Sequence, residues 1–422
     1  MQEFFLQTGP FNLPVEDFIR DLAIIMILAS VVTLAFFKIR QPLIIGYLFA
    51  GILIGPLSPL WTSFLPASIE PSSGIEGLGL LSDLTVLNIF ADIGIILLLF
   101  VIGIEFPIAK IKSIGRVSIG IASIELFLSL GIIFLVSISF GLNFMDSLFI
   151  AAALSISSTA IIIKIFEDMG KIKKESSILV LGILIIEDII AVILIASLQS
   201  VVRVGDVSYE NIITISAIAA LLIIGTLTIG AKIIPRLIDR VASSEHKEIL
   251  LISVLGLCFG YALLSNLIGL SVGIGAFLAG VLVAESKSAE ISKILASPIK
   301  DMFAAIFFVS VGALMDISQL QNYVLIAVVL IAVSIVIKCG GTMFGGILFR
   351  QGRKKTIRSS LALSPRGEFS IFIVKVGVDM GAVSTFLFPL IGIISIITAF
   401  VTPFMMRAGD QLLLKTSKVP EP

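Results

Sequence analysis

Long apolar runs recur along the whole of this 422-residue chain, and they constrain its fold more than any other feature. A helix needs about 20 mostly apolar residues to cross the hydrocarbon core of a bilayer. Runs of this kind, separated by charged residues or by proline and glycine clusters, predict thirteen membrane spans. The predicted spans cover residues 18–37, 42–56, 87–106, 117–140, 146–166, 177–201, 211–234, 249–268, 270–285, 300–315, 322–349, 357–379 and 384–406.

The composition excludes several other classes of protein. Hydrophobic residues make up 58% of the chain and charged residues only 14%, whereas charged residues are about 25% of a typical soluble domain. Lys and Arg together number 29, as do Asp and Glu, so the formal net charge is zero. These values exclude a soluble globular domain, a disordered chain and a nucleic-acid-binding protein. We therefore predict an all-α polytopic membrane protein whose surroundings are the lipid bilayer.

The basic residues predict how the spans are oriented. With the N-terminus outside, 23 of the 29 basic residues fall in loops on the inner side or at the inner ends of the spans. The outer loops carry mostly acidic residues, which are Glu70, Glu76, Asp83, Asp146, Asp206, Glu210 and Asp316. Because basic loops stay on the cytoplasmic side of a membrane, we predict thirteen spans in the plasma membrane. The N-terminus would be outside and the C-terminus cytoplasmic.

Two pairs of segments resemble each other seven spans apart. GYLFAGILIGP (46–56) matches GAFLAGVLVAE (275–285), with Gly51 aligned to Gly280. The spans that follow match more faintly, LLFVIGIEF (98–106) with FFVSVGALM (307–315). Because the offset is an odd number of spans, the second copy crosses the membrane in the opposite direction. An inverted-topology repeat of this kind is typical of secondary transporters.

Charged and hydroxyl side chains coincide in depth near the middle of four predicted spans. A charge at the bilayer centre costs about 2.5–3.5 kcal/mol on insertion scales, so such groups are functional by default. They are Ser157, Ser158 and Thr159 in the fifth span, Glu187 and Asp188 in the sixth, Lys338 in the eleventh, and Arg366 and Glu368 in the twelfth. Neighbouring residues of a helix point about 100° apart, so Glu187 and Asp188 can face different surroundings. We predict that Lys338 pairs with one of them.

Pro365 and Gly367 predict a break in the twelfth span, because proline removes a backbone donor and glycine weakens the helix around it. Under the repeat, the counterpart of this segment is the Ser/Thr cluster of the fifth span. Two broken helices that face each other would supply carbonyl oxygens and helix ends to a cation.

Several other ionisable residues are weaker candidates. Glu125 lies deep in the fourth span, and the sequence leaves open whether it faces a partner helix or a cavity. Asp92 and Glu105 lie in or near the third span. Glu105 is at the inner end of that span, where solvation by water is sufficient to explain its charge. Lys375 precedes Asp379 by four residues, and this spacing favours a structural ion pair at a helix end.

Taken in order, these motifs resemble the membrane domain of the Kef-type and NapA-like monovalent cation:proton antiporters. The resemblance extends from about residue 20 to 405 and is carried by the following segments: GYLFAGILIGP, LLFVIGIEF, SISSTAIIIKIFEDMG, GILIIEDIIAVILI, LSVGIGAFLAGVLVAES, FFVSVGALMDI and SPRGEFSIFI. It implies a thirteen-helix fold in which the fifth and twelfth spans are crossed, broken helices. It also implies a homodimer.

The resemblance further implies a core domain that carries the ion and a separate dimerisation domain. We assign the core domain to the spans of about 87–201 and 300–406. The dimerisation domain would contain the spans of about 18–56 and 211–285, within one membrane domain of residues 1–422. Kef systems append a cytoplasmic nucleotide-binding regulatory domain. Because this chain stops near residue 422, we expect no such domain, which disfavours ligand-gated potassium efflux.

Residue by residue, Asp188 matches the family's ion-binding aspartate, and Lys338 matches the membrane-embedded lysine of electrogenic members. The position before the aspartate is often Asp, Asn or Gln in the family and is Glu187 here, which loosens its usual link to charge stoichiometry. We expect Asp188, Glu187, Ser157, Ser158 and Thr159 to bind the ion. Charge compensation would come from Lys338, Arg366 and Glu368.

The expected function is exchange of Na+, or of Li+ or K+, for H+ by alternating access, with the cation and the proton competing for Asp188. We expect neither enzyme activity nor a cofactor, because the transported ions are the substrates. Alternatives that stay open are a K+/H+ antiporter or a Kef-like K+ efflux protein. From other classes, a sodium-coupled solute symporter would have about ten spans and no acid–lysine trio at mid-membrane. A non-transporting sensor or channel-like subunit would give no cation-dependent proton flux.

Overall fold

Helices form all of the regular secondary structure in the part of the chain that the computed structural model describes. That part comprises residues 15–39, 41–55, 57–58, 84–105, 115–171, 174–203, 222, 225–244, 246–268, 272–313 and 323–416. The α-helices are α1 (Val15–Lys38), α2 (Leu43–Ile54), α3 (Leu84–Ile104), α4 (Arg116–Ser139), α5 (Phe144–Ser155), α6 (Thr159–Asp168), α7 (Glu175–Arg203), α8 (Ala231–Ala242), α9 (Lys247–Leu267), α10 (Val272–Ala284), α11 (Ala289–Ala313), α12 (Val324–Leu348), α13 (Arg353–Ala362), α14 (Glu368–Asp379) and α15 (Leu387–Thr416). A π-helical turn, Thr226–Gly230, precedes α8.

In the part of the chain that the structure describes, the helices follow the predicted spans with some differences. The predicted spans 146–166 and 357–379 are each divided into two shorter helices, α5 with α6 and α13 with α14. Helix α11 starts before the predicted span 300–315, because its first turns carry charged residues that an apolar run does not include. The predicted span 211–234 lies largely outside the described residues.

Seven described helical segments are long and apolar enough to cross a membrane, namely Ile19–Lys38, Arg116–Ser139, Glu175–Gln199, Lys247–Leu267, Ala289–Ala313, Val324–Leu348 and Leu387–Gln411. Four shorter helical segments are also apolar, namely Leu43–Ile54, Ile89–Ile104, Phe144–Ser155 and Val272–Ala284. The outer faces present large hydrophobic side chains, such as Phe127 at 71% and Leu267 at 74% exposure. Water penalises such exposure and lipid does not. The chain is therefore a multi-pass membrane protein.

The described helices pack into two groups. The first group contains α1, α2, α3, α8, α9, α10 and α11, and the second contains α4, α5, α6, α7, α12, α13, α14 and α15. Helix α15 makes the most extensive contact between the groups, against α2 and α11. The predicted core domain included the spans 87–106 and 300–315, and that division into domains stays a prediction. The corresponding helices, α3 and α11, pack on each other and on α2 and α10, within the first group.

Pairs of glycines explain why α3 and α11 pack in the first group. Gly51 of α2 lies against Gly312 of α11, and a Cβ added at Gly51 would lie 2.8 Å from the Gly312 Cα. Gly103 of α3 lies against Gly280 of α10, and a Cβ added at Gly103 would lie 2.9 Å from the Gly280 Cα. Carbon atoms of a side chain and a backbone do not approach so closely, so these helices can pack this tightly only through glycine.

We expect Gly312→Leu to destabilise the protein strongly, since the added side chain would force α2 and α11 apart. Overpacking of a tight interior costs about 1–3 kcal/mol, and backbone displacement adds to this. The measurement is the apparent melting temperature of the purified protein in detergent. Gly131→Leu is the matched control, because nothing lies within 4 Å of a Cβ at that exposed position of α4. Equal melting temperatures for the two variants would contradict the role of the glycine contact.

Candidate functional site

Two helix interruptions meet inside the second group. Helix α5 ends at Ser155 and α6 begins at Thr159, while α13 ends at Ala362 and α14 begins at Glu368. The second interruption lies where Pro365 and Gly367 were predicted to break the helix. Because the residues between the half-helices lie outside the helices, their backbone polar groups need partners other than those of a helix.

The two connecting segments, residues 156–158 and 363–367, supply some of those partners to each other. The Ser158 N–H donates a hydrogen bond to the Pro365 carbonyl at 2.9 Å, and the Ser157 hydroxyl donates to the Leu363 carbonyl at 2.9 Å. Gly367 allows this proximity, since a Cβ there would overlap the Ser158 hydroxyl. Four helix ends are therefore brought together inside the second group.

Basic side chains satisfy carbonyls where α5 and α13 end. The Lys338 ammonium donates to the carbonyl of Ser155, the last residue of α5. The Arg366 guanidinium donates to the Leu363 carbonyl at 3.3 Å, one residue beyond the end of α13, and to the Ser334 carbonyl at 3.0 Å. A helix C-terminus carries a partial negative charge, so each of these positions favours a positively charged side chain.

Acidic side chains lie where α6 and α14 begin. Glu187 Oε2 accepts a hydrogen bond from the Ser157 N–H at 2.7 Å, two residues before α6. Glu368 is the first residue of α14, and its Oε2 accepts from the Ser158 hydroxyl at 2.6 Å. A helix N-terminus carries a partial positive charge. The four helix ends are thus matched by two basic and two acidic side chains.

Lys338 has a second acidic partner that the sequence did not single out. Its ammonium lies 2.8 Å and 2.7 Å from the two carboxylate oxygens of Glu125, and 3.0 Å from Glu187 Oε2. All three side chains are fully buried. The sequence left the surroundings of Glu125 open, and the structure places it against α12. Its depth in the fourth span was the available signal, because a buried acid in a membrane needs a partner.

Asp188 has fewer partners than the other buried acids of the second group. Its Oδ2 accepts a hydrogen bond from the Thr159 hydroxyl at 2.8 Å. Its Oδ1 is buried and has no hydrogen-bond partner among the described residues. Of the three predicted hydroxyl ligands, only Thr159 has its hydroxyl on Asp188, since those of Ser157 and Ser158 bond to the Leu363 carbonyl and to Glu368.

The buried charges do not balance. Among the described residues, six ionisable side chains are buried around the two interruptions, and they are Glu125, Glu187, Asp188, Glu368, Lys338 and Arg366. Four of them are acids and two are bases, so the fully ionised cluster has two more negative than positive charges. An uncompensated buried charge costs several kcal/mol. The cluster therefore favours the binding of protons or small cations.

Arg366 and Glu368 were predicted to compensate charge, and each has hydrogen bonds at a helix end. Arg366 donates to backbone carbonyls and, from its own N–H, to the Thr398 hydroxyl at 3.0 Å. Glu368 accepts a hydrogen bond from the Ser158 hydroxyl. Arg366 lies near the end of α13, and Glu368 lies at the start of α14.

A second ionic cluster connects the two helix groups. Lys375 of α14 lies 2.6 Å from Asp379, the predicted partner, and 2.9 Å from Asp92 of α3. The contact with Asp92 joins a helix of the second group to one of the first. A cavity of about 190 Å³ adjoins this cluster, and its polar lining also includes Gln199 and Asn266.

The chain is similar in sequence to known cation/proton antiporters. The sequence model of the family described as sodium/hydrogen exchanger, transmembrane, matches residues 23–408. The high-affinity Na+/H+ antiporter NhaS3 of Synechocystis sp. is 27% identical over 395 residues, which cover 88% of this chain and 85% of that protein. The K+/H+ antiporter subunit KhtU of Bacillus subtilis is 25% identical over 395 residues, which cover 93% of this chain and 94% of that protein.

A solved structure shows the same fold. The sodium proton antiporter MjNhaP1 from Methanocaldococcus jannaschii superposes with a TM-score of 0.70. The match covers 93% of this chain and 96% of that chain, at 19% sequence identity.

Proposed function

This chain belongs to the sodium/hydrogen exchanger family, and from that membership we propose that it exchanges a monovalent cation for a proton by alternating access. Its relatives in that family are cation/proton antiporters. The proposed cation is Na+, with Li+ as a further substrate. The transported ions are substrates, and no cofactor is invoked.

The proposal rests on Asp188, whose buried Oδ1 has no hydrogen-bond partner among the described residues, in a cluster with excess negative charge. A proton or a cation at Oδ1 would each supply one of the missing positive charges. Since both would occupy the same oxygen, they compete, and competition for one site couples the two fluxes. The empty, charged carboxylate is costly to bury, so the helices that carry Asp188 would move across the membrane mainly when Asp188 has bound a proton or a cation.

The surrounding residues have proposed roles in this exchange. The Thr159 hydroxyl would share the cation with Asp188, because hard cations prefer oxygen ligands. Glu187 and the Ser157 and Ser158 segment would complete the site, with backbone carbonyls at the interruption. We propose that Lys338, Arg366 and Glu368 compensate charge at the helix ends, so that the net charge of the site is set by what binds Asp188.

Exchange of K+ for H+ is the second candidate. The similarity to the subunit KhtU, whose name states K+/H+ antiport, extends over nearly all of both chains. The size of the site and the number of its oxygen ligands decide between Na+ and K+.

Reciprocal glycine contacts support an inverted repeat. The repeat aligns Gly51 with Gly280 and Gly103 with Gly312. Gly51 packs on Gly312, and Gly280 packs on Gly103. Each contact is the image of the other under the repeat, as expected if α2 and α3 are related to α10 and α11. We propose that the complete fold has thirteen spans related in this way.

The two helix groups suggest which parts move. We propose that the second group, which holds Asp188, is the ion-carrying core and that the first group, including α3 and α11, is the scaffold. A homodimer would form through the scaffold. The basic residues, 23 of 29 in the predicted inner loops or at the inner ends of the spans, support a plasma-membrane location with the N-terminus outside and the C-terminus cytoplasmic.

The test is transport by the purified wild-type protein in proteoliposomes that contain a pH-sensitive dye. We expect addition of Na+ or Li+, and in the second candidate K+, to move protons out of the vesicles in exchange for the cation. Vesicles without protein and vesicles given choline chloride are the controls. The absence of proton movement with all three cations would refute the proposed exchange.

A further inference from the structure

Glu125 holds Lys338 more closely than Glu187 does. Both carboxylate oxygens of Glu125 lie within 2.8 Å of the ammonium, while one oxygen of Glu187 lies at 3.0 Å. The backbones of α4 and α12 approach each other here, since a Cβ at Gly341 would lie 2.9 Å from the Glu125 Cα. Gly341 is three residues from Lys338, on the same face of α12. The Glu125–Lys338 pair is therefore fixed by backbone packing.

The surroundings of this pair define its electrostatic effect. Helix α7 contributes Glu187, helix α5 contributes the Ser155 carbonyl, and the segment before α14 contributes Arg366. Lys338 is thus shared between two carboxylates and a helix end. Glu187 needs only part of the Lys338 charge, because its carboxylate also accepts a hydrogen bond from the Ser157 N–H. The next residue along α7 is Asp188.

We propose that Glu125 is a positioning residue for cation binding. From α4 it holds the ammonium of Lys338 in place and offsets the positive charge of that ammonium. This inference rests on the proposed function, in which the cation binds at Asp188. An ammonium without its second carboxylate would exert a larger positive potential on α7, one residue from the cation site. A cation and an ammonium repel each other most strongly in a low-dielectric interior. Glu125 therefore sets the cation affinity without contacting the cation.

The test compares charge-removing and charge-keeping variants of this pair. Glu125→Gln preserves the size of the side chain and removes its charge. We expect the apparent KM for Na+ to rise about tenfold or more, because a hydrogen bond to a charged group contributes about 1.5–3 kcal/mol. The KM for K+ is measured in parallel. The kcat at saturating cation is expected to be retained. Glu125→Asp keeps the charge, and its KM is expected to lie close to the wild-type value.

A double variant separates this role from simple packing. In Glu125→Gln with Lys338→Gln both charges are absent, so the KM is expected to return towards the wild-type value. A purely structural role predicts instead that the second substitution adds to the damage. The proposal is overturned by a wild-type KM in Glu125→Gln, or by a raised KM that Lys338→Gln does not reverse. If Glu125→Gln does not fold, the double variant decides, because a KM close to the wild-type value is expected only if Glu125 offsets the charge of Lys338.

Cation binding distinguishes failure of this inference from failure of the proposed function. Binding is measured by the cation-dependent rise in melting temperature of the purified protein, with Na+ and K+ as probes. If Asp188→Asn binds the cation as well as the wild type, the proposed site is wrong. If Asp188→Asn loses binding and Glu125→Gln keeps the wild-type affinity, only the role of Glu125 is wrong.

Discussion

Asp188→Asn is expected to abolish cation-dependent proton flux, to the level of vesicles without protein. The asparagine amide keeps the shape of the carboxylate but carries no negative charge and takes up no proton. Its oxygen can still accept the hydrogen bond that Thr159 donates to Asp188 in the wild type. Both ions that the proposed mechanism exchanges would therefore lose their binding group. The measurement is the dye response in proteoliposomes to Na+, Li+ and K+ in turn.

Folding of this variant is expected to be preserved. The wild-type carboxylate is fully buried, and its Oδ1 has no hydrogen-bond partner among the described residues. Because an uncompensated buried charge is destabilising, its removal should leave the melting temperature in the absence of cations equal or higher. The stabilisation that added cations give to the wild type should disappear. This combination separates loss of the site from loss of the fold.

Asp301→Asn is the matched control for the same chemical change. Asp301 lies in α11 beside Lys300, and its side chain is 67% exposed. We expect this variant to exchange ions at the wild-type rate, since a surface ion pair contributes little. Exchange at the wild-type rate by Asp188→Asn would contradict the assignment of the site. Equal losses in both variants would mean that the assay reports protein quality and not ion binding.

Much of the helical layout was predictable from the sequence, because membrane spans depend on length and hydrophobicity alone. The interruption between α13 and α14 was predictable for a local reason, since Pro365 and Gly367 lie within it. The interruption after Ser155 has no proline or glycine at its position. It was expected only through the repeat, and its structural partners lie about 206 residues away in the chain, at Leu363.

The partners of the charged residues were less predictable. Depth in the membrane indicated that Lys338 needs an acidic partner. Depth does not distinguish Glu187 from Glu125 as that partner, and Glu125 lies 213 residues from Lys338 in the chain. Likewise, the sequence predicted the Lys375–Asp379 pair because it is local, and did not predict Asp92. Long-range pairing depends on which helices are neighbours. The assignment of α3 and α11 depended on glycine contacts, which an apolar pattern does not reveal.

A reversible cross-link between α3 and α14 is expected to stop exchange completely. Lys375 and Asp92 form an ion pair across the two helix groups at 2.9 Å. If the second group moves against the first to expose Asp188 alternately, this pair must separate in each cycle. A covalent link at the same position would hold one conformation. The variant is Asp92→Cys with Lys375→Cys, in a background where Cys258→Ala and Cys339→Ser remove the native thiols.

The cross-linked sample is compared with itself before and after reduction. A short bifunctional thiol reagent that forms disulfides should reduce exchange to background, and dithiothreitol should restore it. The control pair is Glu105→Cys with Lys293→Cys, which replaces an ion pair of 2.8 Å between α3 and α11. Both helices belong to the first group, so the same link should leave exchange unchanged. If the linked α3–α14 pair still exchanges ions, the two groups do not move apart at this position, and alternating access must use another boundary.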